Sequence, residues 1–269
     1  FSMVTIYQTG SDFLEANDRY LGTDPHLAAF FRMDAPLLRC ADTVNYALRC
    51  ASGEAALLAL KAEPYDLLLF GDPGLVPELL GFLFGNGYEV KNCLCVPEVG
   101  AVLQQELLRR GRPYEEALAM NYLECRAVTE PSDPAVVSAG PSDVDEIFDC
   151  LVRFIADCGL NDKPDREHVK KLIDRYHVLR ENGQIVSMAS VGHAPDGTDR
   201  ITAVYTRDEF RGRGYARRVV NTLKNEILAE GRTAALYVDR RNPVSSHLYA
   251  SLGFRRVFSQ SEYRPVPQP

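Results

Sequence analysis

The stretch RITAVYTRDEFRGRGYARRVVNTLKNEIL, Arg200–Leu228, decides how the chain is read. Its opening RITAVYT is rich in β-branched and aromatic residues, as a strand is. From Tyr215 to Glu230, Ala216, Val219, Val220, Leu223, Ile227 and Leu228 recur at helical spacing, and Gly231 ends the run. Between strand and helix, FRGRGYARR threads two glycines among four arginines. A strand that passes through glycines into a helix leaves several backbone N–H groups unpaired at the positive end of the helix dipole. Such a turn is an anion site, and phosphate is its natural guest. Gly212 and Gly214 let the main chain approach a bulky diphosphate, while Arg211, Arg213, Arg217 and Arg218 add charge.

Other phosphate loops fit less well. A Walker loop ends Gly-Lys-Ser/Thr, but Gly214 is followed by Tyr215. A dinucleotide fingerprint needs a third glycine at its own spacing, and that glycine is missing. A solvated arginine turn or a nucleic-acid patch is the remaining alternative. The acidic total, −7, and the lack of interleaved exposed aromatics argue against nucleic acid.

Working outward, the C-terminal half is legible. TEPSDPAVVS, residues 129–138, reads as a linker. AVVSA is a short strand, and Pro141-Ser142-Asp143 caps a helix carrying Val144, Ile147, Phe148, Leu151, Phe154 and Ile155. Asp165–Arg175 is a second helix, with Val169, Leu172 and Ile173 on one face. HVLRENGQIVSMASVG is a hairpin turning at Asn182-Gly183. After the long helix come the strand AALYV, a short helix capped by Asn242-Pro243 and ended by Gly253, and one or two closing strands in FRRVFSQSEYRPV. The predicted order is strand, two helices, three strands, helix, strand, helix, strand. The N-terminal half shows a buried strand at YDLLLFGD, then helix, turn and strand over 75–96, a helix over Val99–Arg110, and an ambiguous segment at Tyr114–Arg126. A faint helix–glycine–strand likeness links 75–96 with 244–258.

The chain has 269 residues, long enough for two domains, and 46% hydrophobic with 25% charged residues is the composition of a soluble globular protein. Residues 1–134 carry a net charge of −9 and residues 135–269 one of +2, so the two halves are expected to face different ligands. No stretch approaches 18 uncharged apolar residues and no signal peptide is evident, so a cytoplasmic location is expected, with no membrane contact. Met3 reads as the native start, with Phe1 and Ser2 foreign to it. Cys40, Cys50, Cys93, Cys95, Cys125, Cys150 and Cys158 form no paired framework and read as reduced packing residues. Cys150 and Cys158 are expected on a helix away from the glycine turn, so a thiol nucleophile is not expected. The five histidines do not cluster, and no metal is expected.

Two motifs taken together carry a resemblance. Arg211-Gly212-Arg213-Gly214-Tyr215-Ala216 resembles the Arg-x-x-Gly-x-Gly/Ala signature of the GCN5-related N-acetyltransferases. Asn242-x-x-Ser245-x-x-Leu248-Tyr249, ending Leu252-Gly253-Phe254, resembles that family's second cofactor segment. The resemblance covers residues 135–269 and is closest to the FR47-like subgroup, whose relatives include glycine N-acyltransferases. It implies an α/β fold of the α+β kind, a mixed central sheet with flanking helices, in a catalytic domain over 135–269. Residues 3–128 would form a second α/β domain, a degenerate copy of the same fold that frames the acceptor pocket and whose negative charge favours a cationic amine.

The resemblance also implies acetyl-CoA, or another acyl-CoA, as donor. The strand before the glycine turn would splay from its neighbour and offer the backbone of Val204, Tyr205 and Thr206 to the pantetheine arm. The amides of Gly212 to Ala216 would hold the diphosphate, and Asn242 and Ser245 would lie beside the pantetheine and thioester. Tyr249 would protonate the leaving thiolate. A tyrosine, with pKa about 10, arrives protonated at pH 7 and is close in acidity to a thiol at about 8.5. A tyrosine merely packed on an amphipathic helix is the alternative. The acceptor is expected to be a small-molecule primary amine, and its proton needs a destination. Glu181, His177, His193 and Asp239 are the candidates, and an arginine would meet the carboxylate of an amino-acid acceptor. A homodimer is compatible with this reading. The alternative from another class is a non-catalytic acyl-CoA sensor or assembly protein.

Overall fold

Asn182 and Gly183 both adopt left-handed backbone, with φ of 50° and 84°, and join two antiparallel strands as their turn chemistry requires. They belong to a computed structural model that describes residues 3–160, 163–194 and 196–267. Phe1 and Ser2, read above as foreign to the chain, lie outside the described residues.

The elements run β1 Met3–Tyr7, α1 Gly10–Leu21, α2 Pro25–Asp34, β2 Tyr46–Ser52, β3 Ala55–Lys61, β4 Leu67–Gly71, α3 Val76–Gly85, β5 Cys93–Cys95, α4 Pro97–Arg109 and β6 Tyr114–Cys125. They continue as β7 Val136–Ser138, α5 Val144–Asp157, α6 Arg166–Lys171, β8 Tyr176–Glu181, β9 Gln184–His193, β10 Thr198–Thr206, α7 Tyr215–Ala229, β11 Thr233–Asp239, α8 Pro243–Ser251 and β12 Arg255–Pro265. The two halves therefore repeat one order, and it is the order predicted for the C-terminal half. The faint internal likeness pairs the wrong elements. By order, α3 and β5 correspond to α7 and β11, whereas 244–258 holds α8 and the start of β12.

The chain forms two units. One holds residues up to Met120 and from Phe258 onward, and the other is Asn121–Val257. The expected linker at 129–138 thus lies wholly inside the second unit. The polar face of α7 explains why. Asn221 donates to the Pro131 carbonyl at 2.8 Å and Asn225 to that of Glu130 at 2.9 Å, while Lys224 reaches Thr129 Oγ1 at 2.8 Å. The proline-rich segment is a strap bonded to a helix.

In the first unit the sheet runs β1-β2-β3-β4-β5, antiparallel except for the parallel pair β4–β5. Ser261–Tyr263 of β12 add an antiparallel edge to β5. Alternation along β2 and β3 feeds both faces. Tyr46, Leu48, Leu57 and Ala59 pack with α3 and α4, while Ala47, Leu58 and Leu60 pack with α1 and α2. The second unit repeats the plan as β11-β10-β9-β8-β7, where only β10–β11 is parallel. Leu179, Val186 and Ala189 meet α7 and α8, and Tyr176, Val178 and Met188 meet α5. Tyr114–Arg126, ambiguous in sequence, is strand β6. The helix expected over Asp165–Arg175 ends at Lys171, and a single 3-10 turn over Ile173–Arg175 delivers the chain to β8. No helix among the described residues is long and apolar enough to cross a membrane.

In the first unit the Tyr263 ring is seated against Gly100 of α4. A Cβ at Gly100 would fall 2.0 Å from the Tyr263 hydroxyl oxygen and 2.1 Å from the ring. Gly→Ala inside an ordinary helix stabilises by up to about 1 kcal/mol. Gly100→Ala is expected to do the reverse and lower the melting temperature by several degrees, because overpacking a core costs roughly 1–3 kcal/mol. Thermal unfolding followed by circular dichroism checks this, and an unchanged or raised midpoint would contradict the packing of β12 against α4.

Candidate functional site

The site begins where two strands stop pairing. β10 lies parallel to β11 only through Thr198–Arg200 against Thr233–Ala235. Beyond that point β10 keeps only β9, and its register slips between Thr202 and Tyr205. Ala203 and Val204 therefore have no partner in either ladder. Ala203 sits at φ 49°, a left-handed state that costs a side-chain-bearing residue roughly 1–2 kcal/mol. Bulges of this kind re-aim a strand beside a site. Of the three strand positions expected to face a pantetheine arm, Val204 is half-buried and unengaged. The Tyr205 carbonyl already accepts from Ser187 Oγ at 3.0 Å, and the Thr206 carbonyl from Arg211 Nε at 3.1 Å.

The glycine turn follows. Gly212 and Gly214 adopt φ of 74° and 79°, and a Cβ on either would meet nothing within 4 Å. Glycine is needed here for the backbone conformation, and the space before the turn is open. The first amide of α7 to find an acceptor is that of Arg218, to the Gly214 carbonyl at 3.2 Å. The amides of residues 212–217 have no acceptor among the described residues.

The arginines are less available than the sequence implies. Arg211 bridges Asp157 at 2.5 Å and Asp208 at 2.7 Å, and Arg217 pairs with Glu130 at 2.8 Å. Arg218 pairs with Asp133, and the hydrogen bond holds that carboxyl below the usual range. Arg213 alone of the four has no carboxylate partner among the described residues, and it lies over the Phe210 ring at 5.3 Å. Arg213 Nη2 donates to the Glu209 carbonyl at 3.0 Å, so an anion here meets amides first and one guanidinium without a carboxylate partner second. Tyr215, at the start of α7, donates its hydroxyl to Glu181 at 3.0 Å.

Asn242 caps α8 through its side-chain oxygen, which accepts from the Ser245 amide at 3.1 Å. Both residues of the second motif are thereby engaged with each other. Tyr249 packs its ring in the apolar cluster that Val204 borders, with Phe254 edge-on at 6.1 Å. Its hydroxyl has no hydrogen-bond partner among the described residues. Burial, with a smaller contribution from the Cys158 thiol, pushes its pKa up to about 12. The expectation that Cys158 stands apart from the motif residues is thus corrected: the C-cap of α5 brings it within electrostatic range of Tyr249 and Arg211. Burial raises its own pKa and that of Cys150, which reaches about 11, so both thiols stay protonated at neutral pH.

Beside the bulge, α5, the chain leading into α6, and strands β8–β10 border an open cavity of about 550 Å³ that Ala203 and Thr202 line. None of the four residues weighed as proton acceptors lines it. Glu181 stands at the turn end of β8, five residues from the cavity-lining Tyr176, or about 17 Å along a strand. His177 lies under α7, its Nε2 2.8 Å from Glu226. His193 contacts Asp199 at 2.8 Å, and Arg241 holds the Asp239 carboxyl below its usual range. The ionisable groups that do line the cavity are Lys163, Asp165, His168 and Tyr176, none of which any motif marks. No group of three or more potential ligands for a metal occurs among the described residues.

The corresponding turn of the first unit differs. Asp72 follows β4, and its carboxylate takes the Gly74 amide at 2.7 Å. Gly71 is wedged, since a Cβ there would fall 2.1 Å from the Ala56 carbonyl oxygen. The β3–β4 ladder pairs residue for residue over Leu57–Leu60 without a slip. An anion would meet a carboxylate here, not open amides.

Residues 179–264 match the family model for FR47-like proteins. An uncharacterized protein of Mycobacterium leprae is 26% identical over 159 residues, covering 56% of this chain and 43% of that protein. The [ribosomal protein bS18]-alanine N-acetyltransferase of Haemophilus ducreyi is 34% identical over 59 residues, covering 22% of this chain and 41% of that protein. The chain therefore spans less than half the length of these curated relatives. Among solved structures, a GCN5-related N-acetyltransferase from Sphaerobacter thermophilus shares the fold with a TM-score of 0.61 at 15% identity, over 100% of this chain and 98% of that one.

If the glycine turn is the anion site and its first-unit counterpart is not, titration calorimetry with coenzyme A will give one equivalent per chain. Gly214→Val, which forces a branched side chain into a left-handed position, is expected to weaken that binding at least tenfold. Two equivalents, or undiminished affinity in the variant, would place the nucleotide elsewhere.

Proposed function

From an FR47-like segment at 179–264 and a chain-long likeness in fold to a GCN5-related N-acetyltransferase, we propose that this protein transfers an acetyl or short acyl group from acyl-CoA to a primary amine. The observation that carries the proposal is the pairing of an open strand with an open turn. The ladder that ends at Arg200, the unpaired Val204 and the free amides of residues 212–217 offer successive hydrogen-bonding groups to one long, anionic, amide-bearing donor. Acyl-CoA has that chemistry. The cavity beside Ala203 is the acceptor site in this reading.

Transfer needs no covalent enzyme intermediate. The amine nitrogen bonds to the acyl carbon, the carbon–sulfur bond breaks, and the departing sulfur takes a proton. Tyr249 is the proposed donor; the proton that the attacking nitrogen sheds on becoming an amide passes to solvent, and the tyrosinate left behind recovers its proton from solvent. Its burial holds the proton on at neutral pH, and the same apolar surroundings make a desolvated thiolate a strong base. An alkylamine, with pKa about 10.4, must reach the thioester neutral. The apolar wall of the cavity, Phe154 and Ile155 included, favours the neutral form by desolvation. Glu181 is assigned to orienting Tyr215 at the glycine turn and not to taking this proton. Arg213 and the amides hold the diphosphate.

Release of free coenzyme A against a panel of amines tests the proposal, and binding without any thioester consumption would leave only a sensor. Within an active panel, Tyr249→Phe is expected to lower kcat by roughly 10²–10⁴-fold while coenzyme A affinity changes little. The pH profile gives a second reading. A general acid must be protonated, and a pKa raised to about 12 keeps Tyr249 so across the working range. No alkaline loss attributable to this group is expected below about pH 10. Wild-type kcat that falls with a midpoint near pH 8, and a Tyr249→Phe variant that removes that fall, would show an acid unlike the one described.

A further inference from the structure

We infer that the cavity beside the Ala203 bulge selects amines carrying both an apolar body and a carboxylate, of which an apolar α-amino acid is the simplest. The inference rests on the transferase reading and deepens it. Three kinds of wall lead to it.

The first is apolar. Leu151, Phe154 and Ile155 of α5 line the cavity while still half-exposed, so they offer a face for a hydrocarbon group. The second is a row of hydroxyls. Ser190 of β9 stands opposite Tyr176 of β8 on one side and opposite Thr202 of β10 on the other. Directly opposed residues share a sheet face with Cβ atoms about 4.5–5.5 Å apart, so these three hydroxyl-bearing side chains stand side by side on one face, the Tyr176 hydroxyl reaching farthest from the sheet. None of the three has a hydrogen-bond partner among the described residues. Thr202, next to the bulge, ends the row where the thioester carbonyl is expected. Hydroxyl oxygens can accept from an amine at that end and donate to an acceptor group further along.

The third wall is cationic. Lys163 and His168 line the cavity, and neither has a carboxylate partner among the described residues. At the glycine turn, by contrast, three of the four arginines are neutralised by acids. The carboxylate on the same wall, Asp165, accepts from the Glu167 amide at 3.0 Å and is committed to capping α6. A polyamine would meet Lys163 with like charge. A carboxylate would meet an ammonium group that no carboxylate of the described residues pairs. The expected arginine for an amino-acid carboxylate is absent from this wall, and a lysine stands in its place. For this cavity the inference departs from the preference for a cationic amine that the acidic N-terminal half suggested. Its volume lies within the roughly 300–1,000 Å³ of small-ligand sites.

Phenylalanine, phenylalaninamide and phenethylamine share one apolar body and differ in the anionic group, so they make the test. With acetyl-CoA as donor, kcat/KM is expected to be at least tenfold higher for phenylalanine than for the other two. Lys163→Gln should shrink that ratio about tenfold, the scale of a hydrogen bond to a charged group, and Lys163→Glu should invert it. Acylation of all three with equal efficiency, or a ratio untouched by both variants, overturns this inference and leaves the transferase reading standing. Acylation of none of the three while another amine of the panel is acylated overturns this inference alone, and no coenzyme A release with any amine of the panel overturns the transferase reading. In that case calorimetry with the same three compounds decides the cavity by itself. Binding of phenylalanine over phenethylamine that Lys163→Glu abolishes supports the inference, and equal binding or none overturns it.

Discussion

The parallel ladder between β10 and β11 is three residue pairs long, and the proposed donor site depends on its stopping there. A sheet gains by continuing to pair, because unpaired backbone groups away from water cost free energy. Here β10 is turned aside by a strained alanine and an extra residue, which leaves Val204 without a ladder partner and lets the strand end in the glycine turn. The strain is local and the surrounding sheet over-determines it: β9 holds β10 again at Tyr205 and Thr206. A donor threaded into the gap would replace the pairing the strands give up.

Electrostatics at the turn follow from how α7 is anchored. Its polar face, Asn221, Thr222, Lys224 and Asn225, would read from sequence as a solvated face, yet the first three are buried against the strap over 129–133. That strap carries Glu130 and Asp133, which pair with Arg217 and Arg218. Helix placement and neutralisation of the arginines are thus one arrangement. The residual attraction for an anion is short-ranged and directional, carried by amides, and so favours a ligand of defined shape over a diffuse polyanion such as nucleic acid. Exposed ion pairs contribute little to stability, about 0–1 kcal/mol each. Their consequence here is for selectivity.

Elements with strong local signals were legible before any coordinates. Asn182-Gly183, Asn242-Pro243 and the apolar stripe of α7 each have a conformation that their chemistry nearly dictates. Two caps in the first unit, Thr9 accepting from Asp12 and Asp24 ahead of Pro25, were of the same kind and would have marked α1 and α2. What sequence could not supply was long-range. Nothing in SEYRP tells Tyr263 to pack on Gly100, 163 positions earlier, rather than beside its own half. Nothing in VYT marks Ala203 as left-handed, because alanine carries no signal for that state. The hydroxyl row of Tyr176, Ser190 and Thr202 comes from three strands and exists only through register. The glycine turn was legible because its residues are contiguous. The cavity was not, because its residues are contributed by five elements and the connection into α6.

The two units share an order of elements but not a chemistry, and the comparison shows which parts of the skeleton are structural. Both keep a parallel pair joined through a helix, with apolar strands feeding both faces. Only the second has a slipped strand ahead of the turn and glycines within the turn that face open space. In the first, the strand pairs without a slip, Asp72 occupies the turn amide, and Gly71 is fixed by its neighbours. A carboxylate placed at a helix start satisfies the same orphan donors that a phosphate would, and helix stability alone cannot tell them apart. The fold therefore tolerates either guest at this position. In one unit the guest is part of the chain, and the anion site is closed. In the other no carboxylate of the described residues fills it, and the turn amides stay open to a guest from solution.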